Sequence, residues 1–178
     1  MTTVSRSPLP SEDDPGDRSP GPAPNGPRTV IITGELPPGP GGIGAHAWAL
    51  STGLASRGWP MHVIGPQDYV GDEQARAFHA SAPFPVTRLS SGRLRAVSAV
   101  RRVLQARRAV RTHGPELVVT SGGAATVLWA LVRATGTGRS MRTAVVVHGT
   151  ELSFTGIRGV LYRRVLRSAD SVVAVSML

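Results

Sequence analysis

The chain has 178 residues, a net charge of +9 and a pI near 11.6, with arginine as its only strongly basic residue type. It holds no cysteine, which excludes disulfides and thiolate metal sites. No apolar leader opens the chain and its longest apolar run, residues 124–132, is too short to cross a bilayer, so a cytoplasmic domain with one sizeable core is expected.

The charge has two readings. One is contact with phosphates, nucleic acid or an anionic membrane; the other is a compositional bias towards Arg, Ala, Gly and Pro. Residues 1–28 carry seven of the 15 prolines among Ser, Gly, Asp and Glu. Such a segment buries too little surface to offset its ordering entropy, which predicts a disordered tail. The folded domain is expected over residues 29–178.

Val30, Ile31 and Ile32 form the β-branched run of a strand buried on both faces. Pro37, Pro38 and Pro40 then break any regular structure across a glycine-rich loop at 34–42. From Ile43 the spacing of Ala47, Leu50 and Leu54 predicts a helix, closed by Arg57 and Gly58. Residues 61–65 read as a second strand and 66–83 as an irregular loop with a helical turn around 75–78. A third strand is read at 84–89, placed near a sheet edge by Pro85.

A long helix follows over 93–113. Ala96, Ala99, Val103, Ala106 and Val110 make a narrow small-residue stripe for close packing. Arg101, Arg102, Arg107, Arg108 and Arg111 lie largely off it, as a solvated face or as a surface for an anionic membrane. No aromatic stacking positions accompany these arginines, so no nucleic-acid partner is expected. Strands at 116–120, 143–147 and 171–175 alternate with helices at 124–134 and 157–168. That alternation predicts an α/β fold, a Rossmann-like parallel sheet with helices on both faces. Ligands then bind beyond the C-terminal strand ends, where loops 34–42, 121–123 and 148–155 converge.

A strand, a glycine loop and a helix N-terminus present free N–H groups to an anion, typically a phosphate. Gly39, Gly41 and Gly44 formally fit the dinucleotide fingerprint of an NAD(P)-dependent oxidoreductase. The first of these lies too far from the strand, and no acidic residue ends the second strand to hold a ribose. A non-catalytic basic module is the other alternative. His62, His79 and His113 show no partner in sequence, His46 reads as packing or a cap contact, and no spacing suggests a metal site.

Three stretches resemble the N-terminal, acceptor-side domain of glycosyltransferase family 4, of GT-B architecture. They are GELPPGPGGIGAHAWALSTGLASRG, VVVHGTEL at 145–152 and ADSVVAVS at 169–176. The resemblance implies a retaining glycosyltransferase, with a nucleotide-diphosphate sugar as donor substrate, no cofactor, and a glycan or lipid-linked acceptor. It implies that Gly41 and Gly42 let the loop approach the donor diphosphate, through close contact and positive φ, with the helix starting at Ile43 behind them. His148 matches the histidine facing the donor sugar, and Gly149 and Glu151 follow it in the same loop. Ser121-Gly122-Gly123 reads either as an acceptor-side lining or as an ordinary turn. The resemblance also implies a second, nucleotide-binding domain missing here. This fragment is then expected to be inactive alone.

Overall fold

Strands apolar on both faces need helices above and below them, and the chain folds that way. The computed structural model describes residues 25–90, 95–149 and 155–175; residues 1–24 of the predicted tail and Glu151 lie outside that set. Within it the order is β1 (Thr29–Thr33), α1 (Gly42–Ala55), β2 (Met61–Pro66), α2 (Asp72–Ala80), β3 (Val86–Leu89), α3 (Arg95–His113) and β4 (Leu117–Ser121). It continues through α4 (Gly123–Ala134), β5 (Arg142–Val147), α5 (Gly156–Ser168) and β6 (Ser171–Ala174). Neighbouring strands all pair in parallel, in the order β3-β2-β1-β4-β5-β6. The predicted Rossmann-like sheet is observed, with the Pro85 strand at its edge.

Side chains alternate between two layers, as the period of a strand demands. Ile31, Val63, Val119 and Val146 pack with Ala47 of α1 on one face. Val30, Ile32, Ile64, Val118 and Val145 pack on the other with Val110 of α3, Trp129 of α4 and Val165 of α5. Trp129 is fully buried, and its indole N–H donates to Thr143 Oγ1 at 3.2 Å, so its polar end is satisfied. The α1 exit matches the sequence: Arg57 donates to Gly53 O, and Gly58 takes a φ of +81° that glycine adopts at least cost.

Three expectations need correction. Residues 72–80 form a helix rather than an irregular loop with a single turn. Asp72 and Glu73 in its first turn complement the helix dipole. Phe78 anchors it on Trp48, with ring centroids 4.4 Å apart. Second, the α3 stripe is buried only in its C-terminal half: Ala106 and Val110 are covered, while Ala96 and Ala99 are exposed because the first turns stand away from the sheet. Third, the covering of the sheet thins at β6, where Val172 and Val173 are about half exposed.

The arginine face is also more mixed than a solvated stripe. Arg102 pairs with Asp68 at 2.6 Å and Arg107 donates to Thr137 Oγ1, leaving Arg101, Arg108 and Arg111 exposed beside Val97, Val100 and Leu104.

His62 found a partner that its sequence did not show. It is buried in β2, lies 2.9 Å from Thr87 Oγ1 and stacks on His113 at 3.6 Å between ring centroids. Burial, and secondarily the His113 charge, lower its pKa from 6.5 to about 4. The unfolded chain therefore takes up a proton near pH 6.5 that the folded chain refuses. Stability from this group is complete above that pH and is lost as pH falls towards 4, to a limit of roughly 3 kcal/mol. In urea denaturation at pH 7.5 and 4.5, the native protein is expected to lose about 2 kcal/mol more than His62→Gln. Equal losses would contradict this assignment.

Candidate active site

The loop between β1 and α1 is fixed from below. Leu36 turns back into the core at 1% exposure, and its N–H donates to Pro66 O at 2.9 Å. Gly65 leaves the room, since a Cβ there would lie 2.8 Å from Thr33 Cγ2 and 2.9 Å from Leu36 Cγ. Gln67, fully buried just past β2, donates from Nε2 to Pro37 O and accepts from His79 Nε2 at 2.8 Å. Burial and then the Arg88 charge lower the His79 pKa, which suits a neutral ring donating one proton. Sequence reading missed Gln67; a lone glutamine after a strand end was its only signal.

The α1 N-terminus departs from the expectation. Neither Gly41 nor Gly42 has a positive φ; Gly41 is the N-cap residue, at φ −88° and ψ 142°. The Glu35 carboxylate lies in the space a Gly41 Cβ would take. Glu35 Oε1 accepts the Gly44 N–H at 3.1 Å, so the chain places its own anion where the helix dipole favours one. Gly42 faces open space, with nothing within 4 Å of an added Cβ. Among the described residues the N–H groups of Gly42 and Ile43 have no acceptor, so these two are what the helix end offers an outside anion. The dinucleotide reading loses its geometry: the loop at 34–41 replaces the tight strand-to-helix turn, and the N–H of Gly44 is already engaged.

His148 follows the last residue of β5. Its Nε2 lies 3.0 Å from Oγ of Ser121, the last residue of β4, which is itself fully buried. Ser121 pairs in register with Val146, which carries its hydroxyl to the tip of the neighbouring strand. Gly122 holds the turn against β5 by donating its N–H to Val146 O, with a φ of +86°. His46, in the second turn of α1, packs its ring edge-on to His148, centroids 5.2 Å apart and planes at 82°. Gly149 takes a φ of +87°, and among the described residues nothing lies within 4 Å of an added Cβ.

The expected convergence of loops is therefore present for the described residues. His148, Ser121 and His46 meet at one strand end, with Gly42 and Ile43 at the neighbouring helix end. Ser121, one of two open readings in the sequence, is a partner of His148. His46 is the packing residue the sequence suggested, and the ring it packs on is His148. Glu151 is not placed. Among the described residues no group of His, Asp or Glu could hold a metal ion, and no helix is long and apolar enough to cross a membrane.

A parallel sheet with this reversed strand order, covered by helices on both faces, defines an α/β domain of Rossmann-like type. The family profile described as Glycosyltransferase Family 4 matches residues 40–177, and the chain belongs to that family. No curated protein sequence matches it. Among solved structures it is similar to MurG of Acinetobacter baumannii, with a TM-score of 0.55 and 15% identity over 85% of this chain and 42% of that one. A sucrose-phosphate synthase from Thermosynechococcus elongatus gives 0.54 and 15%, over 82% and 41% of the two chains. UDP-GlcNAc 2-epimerase from Methanocaldococcus jannaschii gives 0.54 and 14%, over 83% and 39%. These likenesses establish the fold, and the chain spans less than half the length of each of these three proteins.

Proposed function

We propose that the protein transfers a sugar from a nucleotide-diphosphate donor to an acceptor hydroxyl with retention of configuration, this domain forming the acceptor side of the cleft. The observation that carries the reading is His148 at the tip of β5, held by Ser121 and His46, in a chain of glycosyltransferase family 4. In this reaction the bond from the sugar's anomeric carbon to the diphosphate breaks and one to the acceptor oxygen forms. The acceptor's proton passes to the departing phosphate, so no protein nucleophile is needed. Charge grows on the leaving diphosphate, and fixed donors aimed at it lower the barrier. The N–H groups of Gly42 and Ile43 supply such donors. His148 hydrogen-bonds the donor sugar, with Ser121 setting the ring's orientation. The nucleotide belongs to a second α/β domain, which closes the cleft and excludes water.

The mixed face of α3, with Arg101, Arg108 and Arg111 beside Val97, Val100 and Leu104, supports peripheral contact with an anionic membrane carrying the acceptor. Sedimentation with anionic vesicles at low salt, reversed at high salt, checks that contact; indifference to salt would oppose it. For the reaction itself, His148→Ala in the full-length protein is expected to lower kcat by about 10²–10³ with an unchanged melting temperature. Wild-type rates in that variant would end the proposal.

A further inference from the structure

Val119 and Val146 pack towards α1, so the period of a strand turns Ser121 and His148, two residues beyond them, to the same side. Parallel pairing sets Ser121 opposite Val146 and brings its Oγ to 3.0 Å from His148 Nε2. A serine and a histidine at that distance can be a nucleophile and its base. Ser121 is 0% exposed, however, so it cannot reach a substrate, and its hydroxyl acts on the ring alone.

Two arrangements of hydrogen are open to this pair. Either Nε2–H donates to Oγ, or the hydroxyl donates to a bare Nε2. Burial decides between them. A serine hydroxyl always carries a hydrogen, and among the described residues His148 Nε2 is the one acceptor that meets it. Thr33, paired with Ser121 across β1, does not take this hydrogen, since its buried Oγ1 has no hydrogen-bond partner. His46 does not compete either. Its Nδ1 is buried without a partner, and its printless role here is ring packing on His148. Were the His148 proton on Nε2, the Ser121 hydrogen would be buried with nothing to meet. The opposite arrangement leaves only oxygen lone pairs unfilled, which is the lesser cost.

We infer that Ser121 is a positioning residue that fixes the tautomer of His148: its hydroxyl donates to Nε2, and the neutral ring carries its proton on Nδ1. The free histidine side chain favours the other tautomer, so the register of β4 on β5 imposes this one. With a donor on Nε2, His148 takes no proton from an acceptor alcohol through that atom. Its other nitrogen, Nδ1, is then a donor, suited to hold an oxygen of the donor sugar rather than to act as a base. That role in transfer rests on the transferase reading; the tautomer does not.

Two-bond proton–nitrogen NMR spectra of the full-length protein, isotopically labelled at its histidine ring nitrogens, report which nitrogen of each ring carries the proton. The His148 signals are those lost in His148→Gln. At about pH 8.5, where histidine is neutral, His148 is expected as Nδ1–H in the native protein and in Ser121→Thr, which keeps the hydroxyl. Ser121→Ala should return the ring to Nε2–H in a protein that remains folded. An Nε2–H ring in the native protein, or an unchanged tautomer in Ser121→Ala, would overturn the inference. In transfer, Ser121→Ala is expected to lose about tenfold in kcat and Ser121→Thr to recover it. A switched tautomer with native kcat would overturn the positioning role. The two readings fail separately: an Nδ1–H ring in a protein that transfers no sugar removes only the transferase, and an Nε2–H ring in an active one removes only this assignment.

Discussion

The reversal of strand order between β1 and β4 is the constraint on which the rest depends. A parallel strand needs a crossover helix, and the crossovers of β1 and β4 leave for opposite faces of the sheet. Where they part, the tips of β1 and β4 lie side by side, with Thr33 and Ser121 paired in register. His148, Ser121 and His46 gather on the α1 side of these tips, and Thr33 lies on that side too.

The β1–α1 loop places the chain's own anion at the start of α1. The Glu35 carboxylate occupies the space beside Gly41 and takes the Gly44 N–H. A protein-supplied anion at a helix N-terminus is stabilising by the same physics that attracts a phosphate. The amides left without an acceptor, at Gly42 and Ile43, are fewer than the motif alone suggested, and they are better defined. Leu36 and Gln67 hold the loop in this position by burial and hydrogen bonding, so the helix end is set before any ligand arrives.

Much of the fold was legible because buried parallel strands are nearly continuous apolar runs, as in Val30-Ile31-Ile32 and Val145-Val146-Val147, and the helices between them carry a different period. The α2 helix was not legible: it buries only Ala75 fully and leans on Phe78, too short an apolar pattern to stand out from its polar neighbours. The site was legible where a residue type is unusual for its place, as a histidine ending a buried strand is. It was illegible where meaning depends on a neighbour distant in sequence. Ser121 and His148 are 27 residues apart and meet only through the register of β4 on β5. The α3 stripe likewise predicts close packing along its length, and nothing in its spacing reveals that Ala96 and Ala99 are exposed.

The claim that this strand-tip site serves glycosyl transfer is tested most directly by the stereochemistry of a product. The full-length protein would be supplied with nucleotide-diphosphate sugars of known anomeric configuration and an amphiphilic alcohol, and the glycoside followed by proton NMR. A new glycoside with the donor's configuration, formed in step with release of the nucleoside diphosphate, is the expected result. A product of inverted configuration, or no transfer from any donor, would contradict the account.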